Sequence, residues 1–373
     1  MAMDSPWARE ITLRLAECGM QVHAIAFAQQ PKASYLNALT GYTEKTAACF
    51  RDHSVAVHLL QTDLRSDFRY VACGRTLRAI VRQCSIDVLL LLGGGGFATV
   101  AFFSRFRPYV LYTVGSDVLL ARGMRRVINR ITYRAAALIY SNGHYLGERT
   151  KDLSCRNDVR PLCLGIDTDR FVPPVISPST LSILCNRGFD AVYNNEYLMD
   201  GIAELGDHVL FDEAVYTAAG PGLSLARAKA ATLRADVSRR IHFLGGVTDE
   251  EMLARLHRSS VYVSLSRSDG TSISLLEALS CGVFPVVSDI PQNREWIDPK
   301  LQNGILVPLD RPKELAKALE WALTDRTLRE NAARVNRQII LERANARNNM
   351  AILAQALKEM VRMKRAQQKG LEQ

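Results

Sequence analysis

No stretch of the chain reaches the roughly 18 consecutive apolar residues that span a bilayer, so no transmembrane helix is expected. No CxxC pair occurs. The eight cysteines stand scattered at 18, 49, 73, 84, 155, 163, 185 and 281, which argues against a disulfide framework. The seven histidines form no HExxH and no Cys/His cluster, so a structural zinc site is not expected either. The opening residues MAMDSPWARE lack a basic stretch followed by an apolar one, and no secretory leader is read there. These absences point to a reduced, cytoplasmic protein with no metal cofactor.

What is present is an ordinary globular composition, 48% apolar and 23% charged, over 373 residues, a length that suits two α/β domains. Positive charge is placed unevenly. Residues 1–170 hold 22 lysines and arginines against 14 acids, a net +8 out of +9 for the whole chain. Between Val118 and Tyr145 there are five arginines and no acid. Of these, Arg122, Arg126, Arg130 and Arg134 recur every fourth residue and draw one stripe along a helix. Such a stripe is either a solvated face or a contact for phosphate, on an anionic membrane surface or on a substrate. Nucleic acid is not an expected partner, because no aromatic side chains interleave with the arginines to stack on bases.

Short apolar runs alternate with amphipathic helical stretches, the pattern of parallel sheets with crossover helices. Strands are expected at QVHAIAF, VAVHLL, IDVLLLL, YVLYTV and ALIYS, then at LSILCN, VYTAAG, IHFLG, VYVSLS and VFPVVS. A turn- and proline-rich passage at 165–180 divides the two sets. The expected architecture is two doubly wound, Rossmann-like domains, 1–170 and 171–345, facing a central cleft that holds the ligand. A basic helix over 346–373 is expected to return toward the first domain. A doubly wound domain normally opens on a strand, but this sequence opens on a helical stretch, SPWAREITLRLAECG. The first strand is therefore expected to be missing.

In SRSDGTSISLLEALSCG two acids, Asp269 and Glu277, stand eight residues apart around the start of a helix. The N-terminus of a helix offers unpaired N–H groups and a positive dipole end, which favour phosphate. Gly270 allows close backbone approach, and Thr271 and Ser272 can cap the helix or donate hydroxyls. Eight residues of helix rise about 12 Å, close to the span from sugar to ribose in a nucleotide-diphosphate sugar. The spacing thus suggests Asp269 at the sugar, Gly-Thr-Ser at the diphosphate and Glu277 at the ribose diol. The alternative is a turn cap and a solvated helix acid. The run Gly93–Gly96 follows a strand but lacks both P-loop Lys-Ser/Thr and GxGxxG spacing. It reads as a flexible turn, with contact between Gly94 and an acceptor phosphate as the lesser reading.

The segment SDGTSISLLEALSCGVFPVVSDIPQNREWI resembles the E-x7-E region of retaining glycosyltransferases of family 4, which have the GT-B fold, with Asp269 at the usual first Glu. LYTVGSDVL, LGIDTDRF, IHFLGGV and NGILVPLDRPKELAKAL are similar to further segments of that family, in the same order. The resemblance implies a nucleotide-sugar donor in the second domain, with Gly246 and Val247 by the nucleobase, and an acceptor in the first. It implies catalysis without a metal, with Arg187 beside Asp269 countering the leaving diphosphate. The family's partner Lys has no counterpart: Tyr193 or a neighbour occupies its region, and Arg267 or the helix amides are candidates to compensate. Val114 replaces an acceptor-contacting His. His144 is either its substitute or a loop histidine without function, and Asp117 either orients the acceptor or caps a helix.

The expected activity is transfer of a hexosyl or N-acetylhexosaminyl group, with retention, from a nucleotide-diphosphate sugar. The acceptor is a saccharide, free or carried on polyprenyl diphosphate, in assembly of lipopolysaccharide, O-antigen or capsule. The expected location is cytoplasmic, peripheral at the inner face of the membrane. A non-catalytic donor-binding subunit and a nucleotide-sugar epimerase are the alternatives.

Overall fold

The computed structural model describes residues 6–28, 48–61, 69–176, 180–206, 210–218, 220 and 222–371. The chain divides into two compact units. Unit 1 is Met1–Leu164 with Arg347–Gln373, and unit 2 is Gly165–Ala346.

In unit 1 the main described elements include α1 (Pro6–Glu17), β1 (His23–Ala28), β2 (Ala56–Gln61), α2 (Arg69–Gln83), β3 (Leu89–Leu92) and α3 (Gly96–Ser104). These are followed by β4 (Tyr109–Thr113), α4 (Gly123–Arg134), β5 (Leu138–Ser141), α5 (His144–Ser154) and β6 (Val159–Pro161). All the ladders are parallel, but they form two separate sheets, β1-β2 and β3-β4-β5-β6. The core strand β4, YVLYT, is buried along its whole length, as expected for a parallel strand covered on both faces.

Unit 2 contains β7 (Ser182–Cys185), α6 (Tyr197–Glu204), β8 (Glu213–Tyr216), α7 (Leu223–Ala231), β9 (Ile241–Phe243), α8 (Asp249–Arg258) and β10 (Val261–Ser264). It continues with α9 (Ile273–Ser280), β11 (Phe284–Ser288), β12 (Ile305–Val307), α10 (Pro312–Thr324) and α11 (Arg326–Arg343). Its strands form one parallel sheet in the order β12-β11-β10-β7-β8-β9. The chain winds outward from β7 in one direction and from β10 in the other, so the topological switch lies between these two neighbours. Ligands of doubly wound sheets bind beyond the carboxyl ends of the strands at this point.

The last helix, α12 (Ala346–Leu371), belongs to unit 1 over nearly all its length. There Lys358 Nζ donates to the Cys18 carbonyl at 2.7 Å, and Arg365 pairs with Asp87 at 2.6 Å. Two short strands, β6 and β12, are absent from the strands expected from sequence. Each has only three residues, as does β9, which the apolar run IHFLG did mark.

Candidate active site at the switch point of unit 2

Helix α9 is built by its own sequence. Ser272 is its N-cap and accepts from the Leu275 N–H at 3.3 Å. Leu275, Leu276, Ala278 and Leu279 are buried, and Gly282, at φ 78°, takes the left-handed turn just beyond the end. Burial of most of its surface fixes the helix and aims Glu277, which is only partly exposed. The Glu277 carboxylate has no hydrogen-bond donor among the described residues. Burial pushes its pKa up to about 7, Asp249 adds to the rise, and Arg170 and Arg187 oppose it.

Arg187 stands just after β7, and Asp269 stands in the loop after β10. Their side chains meet at 2.5 Å (Nη2 to Oδ2), although they are 82 residues apart in sequence. Both are largely buried, with side-chain exposures of 13% and 15%. Burial raises the Asp269 carboxyl above its ordinary range, while Arg187 and the Gly270 N–H pull it back. The Arg187 guanidinium lies over the Tyr193 ring at 4.3 Å, and its Nε is buried without an acceptor. Tyr193, in the region of the expected Lys, thus supports the arginine with a ring face instead of adding a second cation.

The loop after β7 is held in place from two sides. Asn195 donates to the carbonyls of Arg187 and Gly188, and Arg267 N–H donates to the Val192 carbonyl at 2.8 Å. Gly222 N–H bonds to Phe189 O at 2.8 Å, and a Cβ on Gly222 would come within 2.7 Å of that oxygen. Gly222, at the start of α7, therefore holds the arginine loop in place. Arg267 itself pairs with Asp310 at 2.9 Å on the surface, so its charge is already partnered.

Of the groups expected at the diphosphate, two already have partners within the loop. Asp269 Oδ1 takes the Gly270 N–H at 2.8 Å, and the Ser272 hydroxyl is engaged as the helix cap. The N–H groups of Ser272, Ile273 and Ser274, at the start of α9, have no acceptor among the described residues. Gly246 is exposed with open space where a Cβ would stand, and Val247 is partly exposed beside it. Two residues further on, Asp249 opens α8 close enough to Glu277 to affect its charge.

In unit 1 the expected acceptor residues are largely committed to one another. Asp117 is buried and accepts from Gly94 N–H at 2.8 Å, Tyr133 Oη at 3.1 Å, Gly115 N–H at 2.9 Å and Val114 N–H at 3.2 Å. It ties the glycine run to the Gly-Ser-Asp turn and leaves Gly94 without a free N–H. A Cβ on Gly94 would overlap the Tyr133 hydroxyl at 1.6 Å, so the glycine run is a packed turn, not a flexible one. His144 is the exposed first residue of α5. Arg122, Arg126 and Arg130 are exposed on or beside α4.

The absence of a Cys/His cluster holds only along the sequence. The fold brings His23 Nδ1 and His58 Nε2 to 3.0 Å, with Cys84 Sγ 3.9 Å from the latter. These three groups have a ligand set compatible with a transition metal, and they lie in unit 1, outside the site described above.

Residues 182–339 match the family described as Glycosyl transferases group 1, a stretch that contains Arg187, Asp269 and Glu277. The matched stretch lies within unit 2. A D-rhamnosyltransferase of Pseudomonas aeruginosa is 25% identical over 237 residues, which span 60% of this chain and 60% of that protein. Sucrose-phosphate synthase from Thermosynechococcus elongatus superposes with a TM-score of 0.76 at 14% identity, covering 95% of this chain and 92% of that one. Anabaena HepE, solved with UDP and glucose, gives 0.71 at 14% identity over 91% and 100% of the two chains. At such identities the likeness is one of fold, and the fold is GT-B: two Rossmann-like domains on parallel sheets.

Proposed function

We propose that the chain is a retaining glycosyltransferase of family 4 that moves a sugar from a nucleotide-diphosphate donor to a saccharide or polyprenyl-diphosphate-linked saccharide in surface-polysaccharide assembly. The observation that carries this reading is the convergence of Arg187, Asp269 and the hydrogen-bond-free carboxylate of Glu277 at the β7/β10 switch point, within the matched domain. In this reading Glu277 accepts from the ribose hydroxyls. Arg187 and the Ile273 and Ser274 amides meet the diphosphate, and Asp269 borders the sugar. The charge of the leaving group is countered by fixed protein groups, so the reading needs no metal.

Helix α4 supports an acceptor at a membrane surface. Its buried face is polar (Asn129, Thr132, Tyr133), while Met124, Val127, Ile128 and Ile131 are exposed among the arginines. An apolar stripe flanked by arginines suits the interface of an anionic bilayer. Among the described residues no helix is long and apolar enough to cross one. Arg126→Glu with Arg130→Glu should cut binding to phosphatidylglycerol vesicles at least tenfold in a flotation assay. Undiminished binding would remove α4 from the membrane reading.

The test of the activity is release of free nucleotide diphosphate from a panel of nucleotide sugars, with and without membrane extract as acceptor. Nucleotide-linked D-rhamnose and UDP-glucose head the panel, since a relative is named for the first sugar and a structural neighbour was solved with UDP and glucose. Acceptor-dependent release is expected. Nucleotide binding with no release from any donor would favour a non-catalytic donor-binding subunit, a reading favoured by Tyr193 standing in the region of the second cation.

A further inference from the structure

His23 opens β1, and His58 is the third residue of β2. The register sets His23 beside Ala56, and His58 stands two residues further along, so both imidazoles leave the same face of the pair. Cys84 follows the last residue of α2, and its thiol reaches that face. All three residues are half-buried. His23 Nδ1 and His58 Nε2 face each other at 3.0 Å across the edges of nearly parallel rings, 12° apart. Cys84 Sγ lies 3.9 Å from His58 Nε2, and the three atoms all lie within 4.8 Å of one another. Burial and the neighbouring His23 hold His58 below its ordinary pKa, so at neutral pH its ring is uncharged and keeps a lone pair.

We propose that His23, His58 and Cys84 form a site for a Zn²⁺ ion, held by two imidazole nitrogens and one thiolate, with a fourth position for water. The ligand set decides the class of ion: imidazole and thiolate suit zinc, whereas calcium and magnesium take oxygen. Zn–N bonds of about 2.0 Å and a Zn–S bond of about 2.3 Å, at tetrahedral angles, put N···N at about 3.3 Å and N···S at about 3.6 Å. The 3.0 and 3.9 Å separations are each within a few tenths of these values. The remaining edge, His23 to Cys84, closes by no more than about 1.2 Å to reach the same bond lengths. A tilt of both rings toward the thiol and a turn of Cys84 about its Cα–Cβ bond supply that movement. On binding, the Cys84 thiol loses its proton to solvent, and each ring keeps its single N–H on the nitrogen turned away from the ion. A cavity of about 520 Å³ is lined by both His23 and Cys84 and gives the water room. The ion would tie β1 and β2 to the turn between α2 and β3, and so the pair to the quartet. The site shares no residue with the candidate site of unit 2 and is independent of the donor chemistry.

The test is a titration of the full chain, first stripped of metal by a chelator, with Co²⁺ as a coloured probe for the same ligands. One equivalent should bind, with the visible bands of a tetrahedral ion and a near-ultraviolet thiolate-to-cobalt band, and added Zn²⁺ should displace it. Cys84→Ser should abolish the thiolate band, and His58→Gln should weaken binding about tenfold or more. Cys155→Ser, at an exposed cysteine outside the cluster, should change neither. Zn²⁺ should raise the thermal midpoint of the wild type by several degrees, and that of Cys84→Ser by much less. Absence of the thiolate band in the wild type would overturn the site, whether or not the variants fold. A band that survives Cys84→Ser at full strength would overturn it as well, because the thiolate would then belong to another cysteine.

Discussion

The six described strands of unit 2 form one uninterrupted ladder, whereas the six described strands of unit 1 form a pair and a quartet with a cavity along their edges. A continuous sheet fixes the ends of adjacent strands relative to one another. In unit 2 that rigidity lets Arg187, after β7, meet Asp269, after β10, in a buried contact of 2.5 Å. Unit 1 secures its loops at the carboxyl ends by other means, with the four donors gathered around Asp117. The candidate site thus lies on the continuous sheet, while unit 1 ties its own loops together through one buried carboxylate.

Changes in unit 2 should therefore alter donor handling most. The largest effect is expected from Arg187→Ala. It leaves Asp269 buried without its cation, so stability should fall by about 3 kcal/mol in denaturant titration. Turnover should drop at least a hundredfold. A variant with unchanged turnover would break the link between the closed sheet and the chemistry.

Glu277→Ala should follow, with donor affinity about tenfold weaker by calorimetry, while Asp269→Asn should mainly lower turnover. The pH profile sharpens this assignment. With a pKa of about 7 in the folded chain, Glu277 loses its charge as pH falls through that value, so donor affinity should decline from pH 8 to 6 in the wild type and stay flat in Glu277→Ala. The same shift acts on stability in the opposite sense. A carboxyl raised from its ordinary 4.5 costs stability as pH rises from about 4.5 to 7, so Glu277→Gln should melt higher than wild type at pH 8 and equally at pH 4.

The smallest effect on donor binding should come from unit 1. In Gly94→Ala the new methyl meets Tyr133, so the midpoint of unit 1 should fall, by about 1–3 kcal/mol in stability. Nucleotide affinity should not change. A parallel loss of affinity would show that the two units are not independent in donor binding.

By itself, the sequence determined the features that depend on local spacing. The alternation of apolar runs and amphipathic stretches marked ten of the twelve described strands, because neighbouring residues already carry the period. Asp269, Ser272, Glu277 and Gly282 were readable together for the same reason: one helix and its caps span them. Only the tertiary structure decided what depends on distant pairing. The order β10 beside β7 creates the switch point and brings Arg187 to Asp269 across 82 residues. Helix packing turned Asn129 and Tyr133 inward and left Val127 and Ile131 outside, which no helical period predicts. Strand register brought His23 and His58 onto one face, with Cys84 beside them. The break between β1 and β3 is likewise a fact of pairing, because an open strand edge is defined by the neighbour it lacks and not by its own residues.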